Sequence, residues 1–246
     1  KHAYEMLFTP GTTFGINMIA SGFSNLLKTG DEIIVSALEH HSNIVPWQML
    51  CEKTGAELKV IPMNEEGSLI MSAYDNLLSE KTKLVFCNHI SNALGTINPV
   101  KEIIEKAHHV GAAVLIDGAQ STPHMKVDFQ KLDVDFYVTS AHKICGPTGI
   151  GLLYGKKEWL EKLPPYQGGG EMIETVSFEK TTYAGLPHKF EAGTPNICGG
   201  IAFGVAVEYM NSIGFDAINK YEQELLKYGT QELLKINGIK IYGTAN

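Results

Sequence analysis

An amine at the end of a buried strand is placed to react rather than to solvate a surface, and Lys143 has that setting. It follows the apolar run "DFYVTS" and lies between Ser140-Ala141-His142 and the turn Cys145-Gly146-Pro147, within "TSAHKICGPTGIG" (139–151). A solvated lysine is the usual fate of the residue type, and this position argues against it. An amine held partly deprotonated there can form a Schiff base with an aldehyde. A second run ends on the complementary charge: Asp117 follows "AVLI" in "AVLIDGAQ" (113–120). A carboxylate at the end of a strand buried on both faces is costly unless paired. The chain has no arginine and no lysine obvious for the task, so a protonated pyridine nitrogen fits Asp117 as partner.

Ligands of open α/β sheets bind beyond the carboxyl ends of the strands, and two further ends carry chemistry. "PGTTFGIN" puts Thr12 and Thr13 at a helix start, where backbone N–H groups and hydroxyls hold a phosphate or where one threonine caps the helix. "ALEHHSNIVPW" offers His40 and His41, packed or solvated imidazoles or a ring that stacks on a heteroaromatic. Beyond a third, "KLVFCNHI", Asn92 donates to a ligand oxygen or closes a turn. A phosphate cradle, a stacking ring, a pyridinium partner and an imine-forming lysine are the parts of a pyridoxal 5'-phosphate site.

These ends need a sheet to hold them. Strands are expected at 4–9, 32–36, 58–63, 83–90, 113–118, 135–140 and 149–155, with helices at 13–27, 43–54, 72–79, 99–110, 199–213 and 215–236. Alternation of this kind predicts a three-layer α/β/α domain on a mostly parallel seven-stranded sheet. Only about nine residues separate the sixth and seventh strands, too few for a parallel crossover, so the seventh is expected to run antiparallel. The segment 164–196 reads as a long loop of a kind that is usually functional. A further strand, "IKIYG" (239–243), is expected near the end.

Composition narrows the partners. Of 246 residues, 44% are hydrophobic and 19% charged, and 20 basic against 27 acidic residues give a net charge of -7 with no basic run. No nucleic acid is expected as a partner. No apolar stretch approaches the ~18 residues of a membrane helix and no signal peptide opens the chain, so no membrane association and a cytoplasmic location are expected. Cys51, Cys87, Cys145 and Cys198 lack metal-site spacing and read as free thiols, Cys87 and Cys198 in or near the core and Cys51 on a helix. No metal is expected.

The segments "GTT", "EHHSNIVPWQML", "HISNALGTINPV", "DGAQ", "SAHKICGPTGIGLLYGK", "GGGEMI" and "FEAGTPN" resemble the SufS-type cysteine desulfurases. That group stands with the selenocysteine lyases among the class V aminotransferase-like, fold-type I pyridoxal phosphate enzymes. The resemblance runs in order from about Tyr4 to Asn246. It implies a cofactor-binding large domain over 1–236 and the start of a small domain over 237–246, in a chain cut at both ends. Lys143 would then carry the cofactor, Asp117 would face its ring nitrogen and Gln120 its phenolic oxygen. His40 would stack on the ring, while Thr12, Thr13, Ser140 and His142 would bind the phosphate. Thr194 would reach the site from the other subunit of a homodimer, Asn92 would lie near the cofactor oxygen and the substrate carboxylate, and His41 matches no role.

The activity so implied converts L-cysteine to L-alanine and leaves the sulfur as an enzyme persulfide, to be passed to an acceptor protein for iron–sulfur cluster assembly. The same cofactor site would serve a selenocysteine lyase acting on L-selenocysteine or another class V enzyme; the chain by itself is expected to be a cofactor-binding module without turnover of its own. The nucleophilic cysteine and the carboxylate-binding arginine of the family belong beyond Asn246. Cys145, two residues from Lys143, matches no nucleophile position and reads as packed or indifferent. Lys189 stands where relatives often have arginine, which would weaken a local contact without changing the chemistry.

Overall fold

The computed structural model describes residues 2–243, so the last part of the expected small-domain segment, 244–246, lies outside the described residues. In chain order the elements are β1 (Met6–Thr9), α1 (Thr12–Phe23), β2 (Glu32–Ser36), α2 (Val45–Thr54), β3 (Glu57–Ile61), α3 (Met71–Leu77), β4 (Thr82–Asn88), α4 (Val100–His109), β5 (Ala113–Asp117), α5 (Phe129–Leu132), β6 (Phe136–Ser140), β7 (Gly151–Gly155), α6 (Lys157–Lys162), β8 (Ile173–Val176), β9 (Thr181–Tyr183), α7 (Ile197–Ile213) and α8 (Phe215–Leu233). Seven strands form one sheet in the order β1-β7-β6-β5-β4-β2-β3. β7 runs antiparallel to both neighbours, while β6, β5, β4, β2 and β3 pair in parallel.

The period of two in a strand sends neighbouring residues to opposite faces, and here both faces are covered. Ile33, Val35, Leu84, Phe86, Leu115, Phe136 and Val138 pack with Ile16 and Ile19 of α1, Trp47 of α2 and Leu160 of α6. Their neighbours Ile34, Val85, Val114, Ile116 and Tyr137 pack on the other face with Tyr74 of α3 and Ile103, Ile104 and Ala107 of α4. Every residue of β2, β5 and β6 is buried. The three-layer fold and the antiparallel seventh strand are therefore as the sequence predicts, and the parallel strands all end on one edge of the sheet.

Three details differ from expectation. "IKIYG" (239–243) forms no strand, because extended backbone needs a hydrogen-bonding neighbour and no strand is paired with it. The stretch read as one long loop contains the β8–β9 hairpin, paired through Ile173↔Tyr183 and Val176↔Thr181; its β-branched residues were legible, but exposure leaves it little apolar alternation. Cys198 is exposed rather than near the core, since α7 turns Gly199, Phe203, Ala206 and Met210 inward and residue 198 lies about 100° away from Gly199 around the helix.

Candidate active site

At the carboxyl edge of the sheet a cavity of about 200 Å³ is lined by residues from five separate segments. The β1–α1 corner supplies one end. Gly11 is the residue before the helix, with φ 147° and no side-chain cap, so neither threonine caps α1 and Thr12 and Thr13 are its first two residues. The Thr12 N–H donates to Ser140 Oγ (2.9 Å), and the two hydroxyls lie 2.9 Å apart. That contact ties the helix start to the end of β6. A side chain at Gly11 would press on Ser140 Oγ at 3.2 Å, so glycine brings the two close. The first-turn N–H groups of a helix lack acceptors within it, and with its positive dipole end this corner suits an anion.

Lys143 lies in a short 3-10 turn, Ala141–Lys143, directly after β6. The turn is held at both sides: the Ala141 N–H donates to Ile150 O (3.0 Å) before β7, and the Ile144 and Gly146 N–H groups return to Ala141 O. Lys143 is therefore presented from a fixed corner between two paired strands.

Asp117 is the last residue of β5 and only 5% exposed. Among the described residues its carboxylate accepts one hydrogen bond, from the Ala119 N–H (2.9 Å). Burial raises its pKa above the ordinary value; the Ala119 N–H and the charges of Lys143 and His40 offset this only in part. Behind it, a Cβ on Gly118 would overlap the Tyr137 ring, and the Tyr137 hydroxyl meets His89 Nδ1 (2.9 Å) and Ser121 Oγ. Glycine here lets the ring brace the backbone of the Asp117 loop. Burial pulls the His89 pKa down to about 4, so its ring is neutral at pH 7.

Also lining the cavity, His40 opens a 3-10 turn at His41–Asn43 and takes the Ser42 N–H (3.2 Å) on Nδ1, which also lies 2.8 Å from Ser42 Oγ. Its Nδ1 being engaged, the ring presents Nε2. His41 stands at 5.9 Å from His40, centroid to centroid, and does not line the cavity.

The cavity brings together Thr12, Thr13, His40, Asn92, Asp117, Gln120, Ser140, His142 and Lys143, nine of the ten residues singled out from sequence. Thr194 lies elsewhere, exposed, at a separate apolar cavity of about 580 Å³ with Phe8, Phe14, Ile150 and Ile201. Sequence reasoning missed Ser42, Asn88, Ile90 and Ala119, which also line the site. Asn88, like Asp117, ends a buried strand, and that position alone could have marked it. Lys189 caps α6 by donating to Leu160 O (3.0 Å) and Glu161 O (3.1 Å). Among the described residues no group of three or more His, Cys, Asp or Glu is disposed to hold a metal ion.

The family model for aminotransferase class V matches residues 1–246. The chain belongs to the class V aminotransferase family. Within that family its curated relatives include the cysteine desulfurases of Enterobacter sp. (strain 638), 51% identical over 245 residues, and of Synechococcus elongatus, 53% identical over 242 residues. These matches cover 99% and 98% of this chain but 60% and 39% of the relatives, so this class V chain spans at most about three fifths of their length. Among solved structures, the cysteine desulfurase CsdA of Escherichia coli superposes with a TM-score of 0.95 at 37% identity, covering 99% of this chain and 61% of that one. The apo cysteine desulfurase of Thermococcus onnurineus NA1 gives 0.95 at 39%, covering 98% and 60%. A C-DES variant with glycine covalently linked to its PLP cofactor gives 0.82 at 25%, covering 94% and 62%.

Proposed function

We propose that this chain is the cofactor-binding part of a pyridoxal 5'-phosphate-dependent cysteine desulfurase, one that turns L-cysteine into L-alanine and passes the sulfur on as a persulfide for iron–sulfur cluster assembly. The observation that carries the reading is the meeting of Lys143, Asp117 and the Thr12–Ser140 corner in one cavity, in a chain about half identical to curated cysteine desulfurases.

The residues fit the cofactor. Asp117 is a buried acid whose carboxylate has a single hydrogen bond among the described residues and lines a cavity that also holds an amine, which suits a protonated ring nitrogen. Thr12, Thr13, Ser140 and His142 suit a phosphate at the α1 start, Gln120 and Asn92 offer amides to its oxygens, and His40 offers a flat face. Bound there, pyridoxal phosphate supplies an aldehyde and a ring that draws electrons from the amino acid's Cα. Lys143 Nζ would hold the cofactor through its aldehyde and would be placed to serve as general base for the Cα proton. Asp117 would hold the ring nitrogen in its protonated form. None of Cys51, Cys87, Cys145 and Cys198 lines the cavity, so the thiolate that accepts sulfur belongs to another segment or subunit.

Two features support a homodimer in which Thr194 serves the partner's site. Thr194 sits outside its own chain's cavity, and beside it Ile197, Ile201 and Val205 leave α7 with an exposed apolar face of a kind that subunit contacts cover. The free cysteines suit a reducing cytoplasm.

Adding pyridoxal phosphate, reducing with borohydride and mapping the modified peptide tests the site. Modification at Lys143, lost in Lys143→Ala with the fold intact, is expected; modification elsewhere overturns it. Incubation of the full-length, unreduced protein with L-cysteine should yield alanine and protein persulfide. Amino transfer to a keto acid, or turnover confined to L-selenocysteine, would place the enzyme elsewhere in the class.

A further inference from the structure

Next to His40 lies an acid that the chemistry above does not use. Glu39 is buried between β2, the His40 turn and the end of β4. Its Oε1 takes the Asn88 N–H (2.8 Å) and pairs with the Ser36 hydroxyl. Its Oε2 takes Asn43 Nδ2 (2.6 Å). Asn88 is in turn the register partner of Asp117 across β4 and β5, and its own amide reaches back to Leu38 O and receives Asn98 Nδ2 (2.6 Å). One carboxyl thus joins the turn that presents His40 to the strand end beside Asp117.

The hydrogen-bond polarity of this joint is fixed. The indole of Trp47 donates only, and it donates to Asn43 Oδ1 (2.9 Å), so Asn43 must turn its NH2 to Glu39. Oε2 is therefore an acceptor, and the Asn88 N–H makes Oε1 one as well. A proton placed between Oε1 and Ser36 Oγ keeps all three contacts, the hydroxyl then accepting. Three donors favour the charged form, while burial and the like charge of Asp117 oppose it. Burial first and Asp117 among the rest raise the pKa to about 7, against the three hydrogen bonds. The other titratable group against Glu39 is Cys87 of β4, whose thiol is pushed well up by burial and by Glu39 itself and so stays neutral. Ser36 of β2, Asn43 of the turn and Asn88 of β4 carry no charge; Lys143 and His40 act on Asp117.

We propose that Glu39 is a charge-coupled positioning residue: it clamps the His40 turn to the Asp117 strand end, and neutralising Asp117, by a bound cation or by substitution, drives a proton off Glu39 into solvent. The cation in question rests on the cofactor reading above, being the ring nitrogen; the substitution does not. Loading the site then tightens the clamp, because the ionised carboxylate accepts all three donors, and charge-assisted hydrogen bonds are the stronger ones.

Trp47, bonded to the carboxyl through Asn43, reports on it. The chain has two tryptophans, so Trp159→Phe in the intact protein leaves Trp47 as the single emitter. A pH titration of its fluorescence without cofactor is expected to show a midpoint near 7. Glu39→Gln should abolish the transition, and Asp117→Asn should move the midpoint down by roughly half a unit or more. Pyridoxal phosphate should move it the same way once the Lys143 adduct forms. A transition that survives Glu39→Gln, or a midpoint that ignores Asp117→Asn, overturns the coupling. If Asp117→Asn shifts the midpoint but no Lys143 adduct forms, the coupling stands and the cofactor reading falls.

Discussion

Two aspartates, both nearly sealed from solvent, stand at opposite edges of the same sheet. Asp135 is 3% exposed at the start of β6, and Asp117 is 5% exposed at the end of β5. Asp135 is fully served by its own chain: His108 Nε2 at 2.7 Å, Lys156 Nζ at 3.0 Å, the Val114 N–H at 2.8 Å and Trp159 Nε1 at 3.3 Å. Burial works to raise its pKa, but the His108 hydrogen bond and the His108 and Lys156 charges win, and it ends below the ordinary value. Asp117, with one backbone N–H, ends above its own. Burial is common to both, so partner supply separates them. The amino edge of the sheet uses an acid to lock strands and helices together, whereas the carboxyl edge leaves one short of partners and turned to a cavity.

Exchanging the charge at each edge tests this division. Asp117→Asn is expected to weaken pyridoxal phosphate retention by about 100-fold or more, the scale of losing one partner of a buried charge pair, while thermal stability holds or rises; titration of the visible band and a melting curve read the two effects. Asp135→Asn should do the reverse, lowering unfolding free energy by about 3 kcal/mol in urea denaturation with cofactor retention unchanged. Equal losses of stability in both variants would erase the distinction.

The pH dependence follows with opposite signs. Asp135, depressed in the fold, gives stability that is present above its unfolded pKa of 3.8 and is lost as pH falls through the folded value. Asp135→Asn should therefore flatten the acid limb of a stability profile. Glu39, raised from 4.5 to about 7, gives stability that is full below 4.5 and is lost as pH rises towards 7. Relative to Glu39→Gln, the wild type should thus lose ground between those two values. The smallest effect belongs to Cys145→Ser: Cys145 is exposed and absent from the cavity wall, so stability should stay within ~0.5 kcal/mol and borohydride labelling at Lys143 should persist.

Much of this was readable in advance, because both principal cues are local. Runs such as "AVLID" and "DFYVTS" are apolar on both faces and alternate with helical patterns, which together mark a covered parallel sheet, and the polar residue ending each run falls on the ligand edge. Glu39 escaped notice because an acid beside two histidines reads as a solvated loop; its burial comes from Trp47, Asn43 and Asn88, brought in from α2, the preceding turn and a strand 49 residues away. The "IKIYG" strand was over-read for the complementary reason: strand propensity is present, but a pairing edge is a property of the whole fold. Cys198 was misplaced because α7 is apolar nearly all round, so periodicity could not say which side faces in.

Helix α8 carries a last consequence. None of its 19 residues is buried, Tyr221, Leu225 and Tyr228 face outward, and its side-chain tether to the sheet domain is His124 Nδ1 on Glu222 at 2.7 Å, with Phe215 and Ile218 packed at its root. In amide exchange of this stretch of chain by itself, such an arm should open and trade its protons long before β4 or β5 does, while the cofactor edge stays closed.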